Sequence, residues 1–334
     1  LLNSIYGVDI DRQAVEVTKL SLLLKCLEGE TNETLRQMNL YGERALPSLE
    51  KNIQCGNSLI SPEALSQDTS ELFPDKDELR RINPFDWTKA FPEVFKSRGF
   101  DAVIGNPPYG ADYDERTKGL YQSLYAYKKG KPETYLFFLE KGISLLVEGG
   151  LFGFIMPNAW LTNHYGVQIR RVVLDQSRVL QMLDLEQTRV FAGAVVDTAV
   201  LIFARGAASA DHEVQVLRGK KDRRIEPSFR IAQYRWSNDE ALIFNTQANP
   251  EQTLVLDRIE RSRSTLDSLV EYSQGVIPFK TKADGAANRF ISATAQGQGW
   301  RPLLENASQV RRFEIHPPKS FIHYGRWLWC AREE

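Results

Sequence analysis

The chain has 334 residues, room for about two ordinary domains. Its 42% hydrophobic and 25% charged content is that of a globular protein, and no apolar run reaches the ~18 residues of a membrane span. The formal net charge is −1, with the acidic excess in residues 1–200 and a basic excess in residues 201–334, which permits a polyanion as partner of the C-terminal part. The opening residues lack the basic and apolar pattern of a secretory signal. Cys26, Cys55 and Cys330 lie far apart with no CxxC, which argues against a disulfide framework or a zinc site and fits a reducing cytoplasm.

Ile5 to Ile10 reads as a short buried strand, and Asp11 to Leu27 as a helix with a broad apolar face and Asp11 as its N-cap. Asn52 to Leu59 predicts a second strand running into a Gly-Asn turn. The polar stretch from Ser61 to Pro84 reads as irregular with one short helix. Phe100 to Ile104 is a third buried strand, and Pro107-Pro108 ends it because neither proline can donate to a ladder. Residues 110–131 read as a loop. A helix follows over Glu133 to Val147, with Gly149-Gly150 as its stop. Leu151 to Met156, Val179 to Leu185 and Ala194 to Phe203 read as strands, with a helix around Gln168 to Leu174. Strands alternating with helices predict an α/β fold whose mostly parallel sheet is covered on both faces. Past Arg205 the alternation stops. Strand-like pieces at Glu213 to Leu217 and Ile231 to Trp236 precede a charged helix over Glu251 to Leu269, and a domain change is placed near residue 245.

The sharpest feature is Asn106-Pro107-Pro108-Tyr109, which follows a buried strand, where open α/β sheets bind ligands. An amino group conjugated to an aromatic ring is a poor nucleophile because its lone pair is delocalised. Two acceptors placed at its N–H bonds favour a pyramidal nitrogen and localise that pair. The Asn106 side-chain oxygen and the Pro107 carbonyl are suited to this, since proline fixes φ and so aims the carbonyl in advance. Tyr109 offers a face for a planar base.

With these residues in place the chain resembles the S-adenosylmethionine-dependent DNA amino-methyltransferases, of the N(6)-adenine type and γ motif order. In particular it is similar to the methylase part of type IIG restriction–modification enzymes. The resemblance covers most of residues 4–205 and implies a Rossmann-like methyltransferase sheet. In GVDID it assigns Asp9 to the cofactor ribose and places Ile10 beside the cofactor adenine. In CGNSL it puts Asn57 where an acidic residue usually accepts from the adenine amino group; a carboxamide oxygen can still accept. Phe138 takes the place of an aromatic against the cofactor adenine. NPPY is the family's catalytic motif, and Phe191 matches the aromatic that stacks on the flipped-out base opposite Tyr109.

The family's Gly-rich loop and the strand before it are expected upstream of Leu1, so the chain reads as a piece of a larger enzyme that lacks its first strand. From Leu269 onward it resembles the start of a smaller α+β target-recognition domain. Arg289, Arg301, Arg311, Arg312, Lys319 and Arg326 are available there for phosphates and Trp300 for bases. The resemblance therefore implies residues 1–245 as the methyltransferase domain and 246–334 as a connecting helix with a partial recognition domain. It implies S-adenosylmethionine as cofactor, double-stranded DNA as partner, and any nuclease outside this chain. Protein-glutamine methyltransferases also carry NPPY, but they lack a large C-terminal domain after the sheet. A catalytically silent DNA-binding subunit of a defence system is the alternative from another class.

Overall fold

The computed structural model describes residues 2–28, 47–66, 76–110, 114–126, 133–188, 190, 196–238, 241–247, 249, 251–252, 254–255, 258, 291–303, 310–311, 314–315 and 319–323. The chain divides into two compact units, Leu1–Arg258 and Ile259–Glu334. Among the described residues no helix is long and apolar enough to cross a membrane.

The first unit opens with β1 (Gly7–Asp9) and α1 (Arg12–Leu27), followed by β2 (Ile53–Cys55), which lies parallel to β1. The Asp11 side chain accepts from the Gln13 amide at 2.8 Å, so α1 starts where its N-cap dictates. Four short helices follow: α2 (Pro62–Ser66), α3 (Lys76–Ile82), α4 (Trp87–Ala90) and α5 (Pro92–Lys96). Next come β3 (Phe100–Gly105), α6 (Glu115–Leu124), α7 (Thr134–Leu145), β4 (Leu146–Pro157), α8 (Val167–Gln176) and β5 (Ser177–Asp184). The unit continues through β6 (Thr198–Arg205), β7 (Glu213–Gly219), β8 (Ile225–Ala232) and α9 (Tyr234–Ser237).

Six strands form one mixed sheet in the order β3-β4-β6-β5-β7-β8. β3, β4, β5 and β7 run one way, β6 and β8 the other. Its core is aromatic. Phe152 and Phe203, each at most 1% exposed, stack at 4.4 Å across β4 and β6, and Trp236 stacks on Phe244 at 4.6 Å. Arg170 is fully buried and donates to the carbonyls of Trp160, Asn163 and Ala241, so this cation is held by backbone dipoles.

Several expectations are corrected. The stretch 110–131 contains a helix, α6, because Asp114 caps it by accepting from the Thr117 amide (2.7 Å) and Leu120 and Tyr121 are buried. The stretch from Ser61 to Pro84 contains two short helices, and α4 and α5 follow them. α7 ends at Leu145, and Gly149-Gly150 lie inside β4. There they occupy a bulge, where the β3–β4 register jumps from Phe100–Leu146 to Ala102–Leu151. Ile231 to Trp236 is divided between the end of β8 and α9, and β6 begins at Thr198 rather than Ala194. The sheet is not covered on both faces throughout: Ile104 on β3 is 90% exposed and Leu151 on β4 is 49% exposed. The predicted helix over Glu251 to Leu269 lies largely outside the described residues.

In the second unit β10 (Trp300–Leu303), β13 (Ser320–His323) and β9 (Ile291–Ser292) form an antiparallel sheet in that order. β11 (Val310–Arg311) and β12 (Glu314–Ile315) pair as a hairpin. The Trp300 ring stacks on His323 with centroids 5.4 Å apart. Arg301 is exposed; Arg289, Arg312 and Arg326 lie outside the described residues.

Candidate active site

Two turns at strand ends carry the residues singled out in the sequence. Each is entered through a glycine with an aromatic ring pressed against it. A Cβ on Gly56 would fall 2.7 Å from the Phe85 ring, and one on Gly105 would fall 2.7 Å from the Phe154 ring. Any side chain at either position would push the turn off its neighbour.

At the end of β3, Asn106 and Pro108 are exposed, Pro107 is buried and Tyr109 is half-buried. The Tyr109 hydroxyl donates to Asn106 Oδ1 at 2.9 Å, with the Ile155 carbonyl as a second acceptor at 3.3 Å. Its ring meets Tyr135 edge-on at 6.2 Å, and the Tyr135 hydroxyl lies 3.3 Å from that of Tyr165. Burial raises the Tyr109 pKa, so the phenol stays protonated and remains a donor at neutral pH. The Asn106 carboxamide is thereby turned with its oxygen toward Tyr109, and that oxygen keeps a second lone pair.

The other turn follows β2, beside the end of its parallel neighbour β1. Asp9 ends β1 and is exposed. Its Oδ1 accepts from the Asp11 amide at 2.8 Å, and its carbonyl accepts from the Gly56 amide at 2.8 Å. Ile10 is 58% exposed beside it. Asn57 is half-buried. Its amide donates to the Asn83 carbonyl at 2.6 Å and its Oδ1 accepts from the Leu59 amide at 3.0 Å. Asp9, Ile10 and Asn57 thus gather at one strand edge, and Asn106 to Tyr109 at another. Phe138 is half-buried on α7 and packs against the main core. Phe191 lies outside the described residues.

Sequence reasoning missed Tyr125, which fastens the turn after β2. Helix α6 buries Tyr121 and ends at its C-cap Tyr125, which reaches the 57–59 turn. The Tyr125 hydroxyl donates to the Leu59 carbonyl at 2.6 Å, and Tyr121 and Tyr125 both pack on the buried Phe137 ring. The available signal was a pair of tyrosines four apart behind an Asp-x-x-Thr cap, which places both on one helix face.

The donor set fits an adenosine. Asp9 is an exposed carboxylate with oxygens for adjacent hydroxyls, and Asn57 is a fixed carboxamide with one lone pair left for an amino group. A mixed α/β sheet with such an edge and an Asn-Pro-Pro-Tyr bend is the plan of the S-adenosylmethionine-dependent methyltransferases, whose methyl donor is the expected cofactor here. The Eco57I restriction-modification methylase family matches residues 3–191, more than half of the chain, and the chain belongs to that family.

The type II restriction enzyme and methyltransferase RM.Eco57I of Escherichia coli is 30% identical over 206 residues, 60% of this chain and 19% of that protein. The adenine-specific methyltransferase PglX of Streptomyces coelicolor is 26% identical over 180 residues, 50% of this chain and 14% of that protein. A cryo-EM structure of a DrdV–DNA complex matches 87% of this chain and 33% of that chain, at 16% identity and a TM-score of 0.42. The chain spans well under half the length of each of these proteins.

Proposed function

We propose that the full-length protein methylates the exocyclic amino group of adenine in duplex DNA, with this chain as part of a restriction–modification enzyme. One observation carries the reading: an exposed carboxamide, Asn106, is oriented by an adjacent phenol at the end of a strand, and the following bend is fixed by two prolines. The bound cofactor supplies an electrophilic methyl group on a sulfonium. Asn106 Oδ1 and the Pro107 carbonyl accept the two N–H bonds of the base and draw its lone pair out of the ring. The bend holds no carboxylate, so the amino proton leaves afterwards to solvent. Tyr109 and Phe191 stack on the base, offsetting the few kcal/mol needed to take it out of the duplex. Asp9 binds the cofactor ribose, Ile10 and Phe138 flank its adenine, and Asn57 accepts from its amino group. The family and the adenine-specific relative support this assignment.

Two parts of the reading concern the rest of the enzyme. Among the described residues β1 pairs only with β2, and β3 at the sheet edge pairs only with β4, leaving Ile104 open. These edges support the reading in which a further strand carries the methionine-binding loop. Residues 246–334 are read as a connecting helix and the start of a DNA target-recognition domain, with any nuclease elsewhere in the protein.

The test is Asn106→Ala in the full-length protein, assayed by methyl transfer to DNA and by DNA binding. The expected result is a loss of methylation of at least about a hundredfold, the scale of a lost oxyanion-type contact, with DNA affinity nearly unchanged. Near-normal turnover would refute the role.

A further inference from the structure

We propose that the turn between β7 and β8, Lys220 to Arg224, is a contact for the backbone phosphates of duplex DNA on one side of the target base. This rests on the reading of DNA as the substrate and adds to it a surface for the DNA backbone. The turn carries four basic side chains and one acidic side chain in five residues. Two of the cations are engaged within the protein: Lys220 pairs with Glu226 at 3.5 Å, and Arg224 Nε donates to Asp222 at 2.6 Å. Lys221 and Arg223 are exposed at the tip and make no ion pair among the described residues. Arg223 also stands where the backbone disfavours it. Its amide donates to the Lys220 carbonyl at 2.9 Å, the Lys220 amide donates to the Arg224 carbonyl at 2.9 Å, and Arg223 has a φ of +66°. This is a three-residue hairpin loop whose last residue is left-handed, a place that glycine fills at no steric cost. A long cation kept there against the backbone's preference points to a function for its side chain.

The turn lies at the same end of the sheet as Asn106. β3, β4, β5 and β7 run one way, so β3 and β7 finish on the same side. Four strand spacings separate them in the order β3-β4-β6-β5-β7, roughly 19 Å at ~4.8 Å each. Phosphates recur about every 3.4 Å along a DNA strand, so a duplex laid along this end brings those about five or six nucleotides from the target base to the turn. The root of the turn is fixed. The Thr188 hydroxyl donates to the Lys220 carbonyl at 3.1 Å, and a Cβ on Gly219 would strike that hydroxyl. Thr188 lies three residues before Phe191, so the segment leading to the proposed base-stacking aromatic is fastened at its start to the basic turn. The carboxylates of Asp184 and Glu186 on that segment are both engaged by the Gln247 side-chain amide, at 2.9 and 3.0 Å.

The experiment is fluorescence anisotropy of a labelled random-sequence duplex of about 40 base pairs with the full-length protein, from about 50 to 200 mM salt. Lys221→Gln combined with Arg223→Gly is expected to weaken binding about tenfold at low salt. It should also lower the slope of log affinity against log salt by about two, since each phosphate contact contributes about 0.9. Arg223→Gly alone is expected to lower the slope by about one and to leave the melting temperature at or above that of wild type, because glycine relieves the left-handed backbone. Arg178→Gln, at the start of β5 and so at the other end of the sheet, is expected to leave the slope unchanged. If the double variant keeps the wild-type slope while Asn106→Ala still loses methylation, the inference fails and the methyltransferase reading stands. If Arg178→Gln lowers the slope as much, the effect belongs to overall charge and the inference fails. If Arg223→Gly melts well below wild type, its role is structural and the inference fails. If the wild-type protein does not bind duplex DNA, both readings fall.

Discussion

The six-stranded sheet and the β1–β2 pair share a unit but are built on different scales. The large sheet encloses a continuous core in which Leu136, Phe137, Leu139, Val179 and Phe203 are fully buried. Among the described residues the β1–β2 pair and α1 enclose a buried cluster of Val15, Leu49 and Ile53, while Val17, Leu20 and Leu24 of α1 are 56–62% exposed. The sturdy part carries the bend proposed for the target base, and the thin part carries Asp9. A two-stranded sheet is marginal by itself. An aromatic seam joins the two parts, where Tyr6 meets Phe91 at 5.2 Å and Phe100 at 5.8 Å, and Trp87 meets Phe100 at 5.7 Å.

The largest effect that would sharpen this contrast is in the main core. Phe203→Ala should cost about 3–5 kcal/mol in urea unfolding, since it empties a stacked position with no room to collapse. Val15→Ala in the small cluster should cost about 1–2 kcal/mol, and the loss should be local. Hydrogen exchange is expected to show faster exchange at the Gly7 and Gly56 amides, with the β5 and β6 amides unchanged. Equal loosening of both regions would break the contrast.

The smallest effect lies at the seam, where Asp86 caps α4. Burial pushes its carboxyl up, but bonds from Lys89 and Thr88 outweigh this and hold it well below the ordinary carboxylate range. A depressed carboxyl contributes stability above its unfolded pKa of about 3.9, and that stability is lost as the pH falls through the folded value. Asp86→Asn should therefore flatten the acid side of the stability profile below about pH 4. An unchanged acid limb in circular dichroism melts would show that the cap adds nothing.

The elements that sequence reasoning located are those with dense, regular apolar patterning. The strands around Phe100 to Ile104 and Val179 to Leu185 are of this kind, and Asp11 marked the start of α1 as its cap chemistry requires. Helix α6 was hidden because only Leu120 and Tyr121 within it are buried, too few to show a period among Glu115, Arg116, Thr117 and Lys118. The bend at Asn106 was legible because two prolines announce it. The bond from Tyr125 to the Leu59 carbonyl was not, because it joins residues far apart in the chain. Nor did any local pattern foretell the aromatic seam, whose members come from Tyr6 before β1, the α4–α5 segment and β3.

The phenol beside Asn106 has one more effect. An exposed amide oxygen is ordinarily wrapped in solvent, and each water must be shed before another donor can approach. Here one of the oxygen's two sites is already filled from within the protein at 2.9 Å. In the proposed reaction the target amine would meet an acceptor that is partly dehydrated beforehand, with less rearrangement of the surrounding liquid between encounter and contact.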